Sequence, residues 1–378
     1  MNLLLLSLSV FLLFAQSSRA ECEVASQTVA SGSHLLSSSK ICAGDLIFED
    51  DFDTFDLSRW NHENTLGGGG NWEFEWYLNN RTNSFVKDGN LHIKPTLLAD
   101  DYGEDFIFSG TLDVNGCYPV DECTNAAFYG CSRTGSETNA LNPIKSARIR
   151  TVDSFTFKYG TVEIKAKLPS GDWLWPAIWL LPRYNSYGTW PASGEIDLME
   201  SRGNKDLVSP AGVNVGTQQV SHTLHWAPSV ATNQWTRTHY EKNNDAGYDT
   251  EFHVYKLEWT SEGIKYFIDD EVTGTVTPPE GGFWEMGEFE NSGMDNPWLG
   301  ASKMAPFDQQ FYLIINLAVG GVNFFSDDNT NAGGKPWSNT SPTASSDFWK
   351  GKSQWGPTWK FGTDDSHLII DYIRVYAA

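Results

Sequence analysis

Residues 160–168 (G-T-V-E-I-K-A-K-L) alternate without a break: Val162, Ile164, Ala166 and Leu168 fall on one face, polar side chains on the other. A period of two belongs to a strand with one face in a core and the other in water. Short strands recur along the chain. Two runs, 252–259 and 264–268, are split by Ser261-Glu262-Gly263 and read as a hairpin. The run 311–319 (FYLIINLAV) is almost wholly apolar, as a strand buried on both faces would be, and 368–376 (LIIDYIRVY) reads as a closing strand. Gly, Pro, Asn and Asp clusters interrupt the chain throughout, notably at 67–70, 286–308 and 323–346, and no amphipathic pattern exceeds three helical turns. No period of 20–50 residues recurs, which excludes propellers and solenoids. The expected fold is all-β, two packed antiparallel sheets with long loops, over a single domain at 46–378.

The first twenty residues carry an apolar stretch, Leu3 to Phe14, that is too short to span a bilayer, followed by Ser18-Arg19-Ala20. They predict a signal peptide at 1–20 and a secreted chain, although the amino terminus supplies the only positive charge ahead of the apolar stretch. A Ser- and Ala-rich arm, 21–45, precedes the domain, and no later segment predicts a membrane anchor. Secretion predicts that most of the five cysteines, 22, 42, 117, 123 and 131, are paired in disulfides. Cys123 with Cys131 would close a short loop and Cys22 with Cys42 would pin the arm, leaving Cys117 odd, but spacing does not decide the connectivity. Asn80-Arg81-Thr82 and Asn339-Thr340-Ser341 are glycosylation sequons, expected on the surface. The formal charge of −22, from 48 acidic and 26 basic residues, would repel a phosphate backbone, so nucleic acid is not an expected partner. Sixteen tryptophans are more than a core needs, and the surplus suits the flat faces of sugars.

The chemistry concentrates in Glu195-Ile196-Asp197-Leu198-Met199-Glu200. Glu195 and Asp197 share a strand face; Glu200, five positions on, joins them only if a residue bulges out at Leu198 or Met199. Three such acids raise at least one another's pKa and titrate as a group. Glu195 and Glu200 then stand about 13 Å apart at Cα, and inward-leaning side chains could approach the roughly 5 Å separation of a retaining glycosidase. An acidic string usually means a solvated surface. Here the apolar Ile196, Leu198 and Met199 argue for a buried sheet, and tryptophan-rich stretches flank it.

These flanks, W-P-A-I-W-L-L-P (175–182) and W-P-A-S-G-E-I-D-L-M-E-S-R-G-N (190–204), resemble glycoside hydrolase family 16, in its laminarinase-type branch from invertebrate animals. I-K-S-A-R-I-R-T (144–151), F-K-Y-G (157–160), T-L-H-W (223–226) and N-L-A-V-G-G (316–321) carry the likeness across 46–376. The resemblance implies a β-jelly roll with a concave cleft and retaining endo-hydrolysis of β-1,3-glucans. Carried over by motif, Glu195 is the nucleophile, Asp197 its helper and Glu200 the acid/base. Trp175, Trp179 and Trp190 match cleft aromatics, His225 a position beside the reacting sugar, and Asn83 and Arg148 polar positions near the non-reducing end. It also implies a structural calcium away from the cleft, on the backbone oxygens of Asp51 and Gly89 and the carboxylate of Asp371; catalysis itself needs no cofactor.

Glucan-recognition proteins of the same branch keep the fold without the catalytic glutamates; both are present here. The roughly 25 residues before Leu46 are too few for the extra glucan-binding domain such proteins often carry. The six-residue spacing differs from the E-x-D-x-E of bacterial lichenases. Agarases and carrageenases share it, but a sulfated substrate calls for a basic cleft. A covalent intermediate could also pass to a sugar acceptor. The expected partner is a β-1,3-glucan and the expected state a monomer, with digestive and defensive roles both open.

Overall fold

A computed structural model describes residues 22, 24–36, 40–116 and 122–378. Residues 1–20, where a signal peptide is expected, and Cys117 lie outside these. Among the described residues, two antiparallel sheets of nine and eight strands face each other. The smaller sheet centres on Gly160–Lys167, whose burial alternates at every residue as its sequence dictates. It lies between His253–Trp259 and the C-terminal Leu368–Tyr376. The expected hairpin forms, with Trp259 opposite Ile264.

The larger sheet is built on Phe311–Val319, buried at every position. Leu174–Pro182 pairs along its whole length, followed by Glu195–Ser201 and Gln219–His225. One continuous core fills the space between the sheets, including Ile164, Leu180, Ile196, Leu198, Tyr255, Leu313 and Ile373. Aromatic rings supply much of it. Trp226 is fully buried with Phe283 edge-on at 4.9 Å, a site where truncation to alanine costs about 3–5 kcal/mol. Helices are incidental: Ala344–Lys350 has seven residues, and among the described residues none is long and apolar enough to cross a membrane.

The arm differs from expectation. Instead of standing ahead of the domain, its Val29–Ser31 segment adds an edge strand to the larger sheet against Thr156–Lys158. Gln27 N–H and the Ser26 hydroxyl both donate to the carbonyl of Ala378, so residues on either side of position 45 form one folded unit. Cys22–Cys42 and Cys123–Cys131 are disulfides. Of the two sequons, Asn80 is exposed, whereas Asn339 is half-buried with its amide donating to the Phe325 carbonyl.

Candidate active site

The acid strand is bulged at Leu198 and Met199, where its sequence predicts. Against Leu174–Pro182, Met199 pairs with Ile178 and Asp197 with Trp179, so Leu198 is skipped. Against Gln219–His225, the three-residue step from Asp197 to Glu200 is matched by two residues, Thr223 to Ser221. Leu198 and Met199 both enter the core, and Glu200 returns to the face of Glu195 and Asp197. A buried histidine holds this distortion. His222 Nδ1–H donates to the Leu198 carbonyl at 2.5 Å, and its Nε2 accepts from the Thr273 hydroxyl at 2.8 Å. The ring stacks on Tyr266 at 4.7 Å. Burial pushes His222 down to about 4, so it stays neutral in this double hydrogen bond.

On the open face, His225 lies opposite Glu195 in the register. Its Nε2 is 3.2 Å from Asp197 Oδ2 and 3.8 Å from Glu195 Oε1. The Glu195 side chain retains 17% exposure against 4% for Asp197, which makes Glu195 the carboxylate of the two that a ligand can reach. Trp190, 39% exposed, donates its indole N–H to Glu195 Oε2 at 2.9 Å. Trp175 donates to Glu200 Oε1 at 3.0 Å. Desolvation raises Asp197 well above the ordinary carboxylate range, with Glu195 and Glu200 adding repulsion. Desolvation also raises Glu200, against the lowering pull of His225 and of the Trp175 hydrogen bond. The arrangement therefore sets two raised carboxyls beside a third that two donors can orient.

His225 is subject to opposing influences. Its burial disfavours charge, but Asp197, Glu195 and Glu200 together raise it to about 9. Asn233 acts the other way. Its Oδ1 accepts from Trp226 N–H, which aims the Nδ2 amide at His225 Nδ1 at 2.8 Å. A nitrogen that accepts from an amide carries no proton, so this geometry holds the neutral ring with its proton on Nε2, towards Asp197. Charging the ring requires the Asn233 amide to turn over. Neither Asn233 nor His222 stood out in the sequence.

The remaining expected residues divide. Trp179 is half-buried beside Asp197, its N–H on Asn316 Oδ1 at 2.7 Å and the Arg148 guanidinium 5.3 Å from its ring centroid. Trp175 is less open than a sugar platform: Phe324 lies flat on it at 4.0 Å, and Arg202 covers the other face of Phe324 at 4.0 Å. Its indole N–H is its contribution to the site. Arg148 is largely buried between Glu63 and Glu73, at 3.6 and 3.4 Å. Asn83 is a correction. It is wholly buried, with its amide donating to the carbonyls of Lys94 and Lys145 and to Thr96 Oγ1, and it has no surface to offer a sugar.

The proposed calcium ligands converge only in part. The Leu46–Asp50 and Asn90–Ile93 strands share one edge of Leu368–Tyr376, pairing Asp50 with Ile373 and Leu91 with Ile370. Asp51, Gly89 and Asp371 thus meet at the break between them. However, Asp371 Oδ2 is 2.7 Å from Lys165 Nζ, and Asp51 Oδ1 accepts from Arg374 at 3.0 Å. The three protein oxygens are about half of the six to eight that calcium takes, so water would have to supply the rest, with the Asp371 carboxylate shared with Lys165.

The fold and this cluster define a β-jelly roll of the glycoside hydrolase class. The model of "Glycosyl hydrolases family 16" matches residues 127–290. A β-1,3-glucan-binding protein of Penaeus monodon is 49% identical over 340 residues, 88% of this chain and 90% of the relative. β-1,3-Glucan-binding protein 1 of Galleria mellonella is 38% identical over 89% of this chain but 64% of its own length. The laminarinase of Rhodothermus marinus has the same fold, with a TM-score of 0.53 at 25% identity over 89% of this chain and 98% of that one. The chain belongs to glycosyl hydrolase family 16.

Proposed function

We propose that the protein is a secreted, retaining endo-β-1,3-glucanase. The observation that carries this reading is the bulged strand bringing Glu195, Asp197 and Glu200 onto one accessible face. In this reading the Glu195 carboxylate attacks the anomeric carbon while Glu200 gives its proton to the departing glycosidic oxygen. Glu200, now ionised, takes a proton from water, whose oxygen displaces Glu195 and restores both groups with net retention. The raised proton affinity of Glu200 suits an acid. Trp190 and His225 orient the nucleophile, and Asp197 links His225 to the pair. The leader pattern at 1–20 and the two disulfides support secretion. No step needs a metal.

A second reading is glucan recognition without turnover, favoured by the 49% identity to a protein named for binding alone. One preparation offered laminarin, lichenan, agarose and carrageenan separates the two. Internal cleavage of laminarin, with the β-anomer appearing first by NMR, is expected. Saturable laminarin binding with no new reducing ends would establish the recognition reading instead.

A further inference from the structure

A second cluster of titratable groups lies on the smaller sheet, unconnected with the carboxylates. His92 sits on the Asn90–Ile93 strand between Leu91 and Ile93, which enter the core, so His92 faces outward. The segment leading into Leu368–Tyr376 folds over it, leaving His92 and His367 each only 3% exposed. Their Nδ1 atoms face each other at 3.1 Å. Asp364 Oδ1 is 3.6 Å from His367 Nδ1, and one donor atom from each of the three residues lies within 4.8 Å of the others.

Two imidazole nitrogens pointed at one another are satisfied only by a single shared proton or by a cation between them. The 3.1 Å spacing serves a shared proton and is also close to what a cation needs. Two nitrogens about 2.0–2.1 Å from a tetrahedral zinc lie roughly 3.3 Å apart. The rings are locked in place: Phe85 stacks on His92 at 5.2 Å and meets His367 edge-on at 6.1 Å. Asp364, 39% exposed on its side chain, leaves a way in from solvent. We propose that His92, His367 and Asp364 form a binding site for a transition-metal dication of zinc's class, with water completing the coordination. Imidazole and carboxylate donors are a set such ions accept.

The site's competitor is Lys87, whose Nζ is 2.5 Å from Asp364 Oδ2. The ion would pin the start of the final strand to the Asn90–Ile93 strand, so its effect is on stability rather than on turnover.

The test uses the secreted chain without a polyhistidine tag, stripped with chelator and titrated with Co2+ and Zn2+. The expected result is one Co2+ per chain with the visible bands of four-coordinate cobalt, displaced by Zn2+, and a thermal midpoint that rises with Zn2+ concentration. Asp364→Asn, at a partly exposed position, should weaken binding by at least about tenfold while the protein stays folded. Lys87→Met should tighten it by freeing the carboxylate. His367→Asn should abolish it. No saturable uptake overturns the proposal, as does uptake indifferent to both Asp364→Asn and Lys87→Met. Uptake lost only in His225→Asn would put the ion at Glu195 and Asp197, and would equally overturn it.

Discussion

Two strands of this molecule carry acids at alternate positions, and they meet opposite fates. On the acid strand, Glu195 and Asp197 face an open sheet surface and Glu200 joins them through a bulge. On the other, Glu73, Glu75 and Tyr77 also share a face, around the regular Glu75–Tyr77 strand, but they point into a closed interior. There Arg148 supplies the compensating charge, 3.4 Å from Glu73 and 4.4 Å above the Tyr77 ring. Desolvation raises Glu75 well above the ordinary range, the neighbouring Glu73 raises it further, and its Oε2 accepts from Val319 N–H at 2.6 Å. Similar alternations of acids thus give an accessible set in one place and a neutralised strut in the other. Access and the sign of the nearest charge decide which.

The comparison breaks most sharply under glutamine. Glu195→Gln should lower laminarin turnover by at least about 10³-fold with the fold and laminarin binding intact, as measured by reducing-end assay and calorimetry. Near-normal turnover would remove Glu195 from the mechanism. Glu75→Gln should leave turnover near wild type, because a neutral amide can donate to Glu73 and accept from Val319 as the neutral acid does. The two proteins should part with pH. A carboxyl whose folded pKa is raised gives its stabilisation in full below its unfolded value of 4.5 and loses it as pH climbs towards the folded value. Glu75→Gln does not titrate, so its unfolding free energy relative to wild type should increase as pH rises above about 4.5.

Next in size is the loss of the strut's counter-charge. Arg148→Met leaves Glu73 buried without its cation and should destabilise by about 3–5 kcal/mol in denaturant unfolding. It also removes the guanidinium beside Trp179. A stability loss under about 1 kcal/mol would mean that solvent, rather than Arg148, compensates Glu73.

Much of this was legible in the chain. Alternation at 160–168 and the apolar run at 311–319 predicted their strands because burial on one face or two leaves a local periodic mark. The bulge was legible because three acids and three apolar residues cannot both be satisfied by an unbroken alternation over six positions. The strut went unread: E-F-E-W-Y alternates over only five residues, and nothing local says that its face is closed. Asn83 illustrates the converse: a polar residue at a matching position is spent on three internal acceptors, the Lys94 and Lys145 carbonyls and Thr96 Oγ1, that only the folded chain brings to it. His222 and Asn233 were missed for the same reason. Their roles depend on Leu198, Thr273 and Trp226, contacts that exist only once strands are paired and sheets are packed.

His222 sharpens the comparison because the strut needs no such clamp. His222→Phe keeps a ring against Tyr266 but strands the buried Leu198 carbonyl, an effect of about 1–3 kcal/mol on stability. With the bulge loosened, Glu200 loses its fixed relation to Glu195. Turnover should fall while KM for laminarin changes little, since the aromatic surfaces remain. Equal changes in both would show that the clamp serves folding alone.

The smallest expected effect concerns the proton on Glu200, the feature that most separates the two acid sets. Burial raises Glu75 in a closed site, whereas in the proposed reaction Glu200 must release its proton and recover it in each cycle. Trp175 tunes that exchange. Its N–H favours the ionised carboxylate and so lowers a pKa that desolvation raises. Trp175→Phe preserves the stack on Phe324 but deletes the donor, so the pKa of Glu200 should rise further. Glu200 acts first as an acid and loses activity when ionised, so the alkaline limb of the kcat/KM profile should move to higher pH. The acidic limb should stay in place. A shift of the alkaline limb to lower pH, or equal movement of both limbs, would mean that Trp175 acts on the group as a whole and that the proton is not assigned to Glu200.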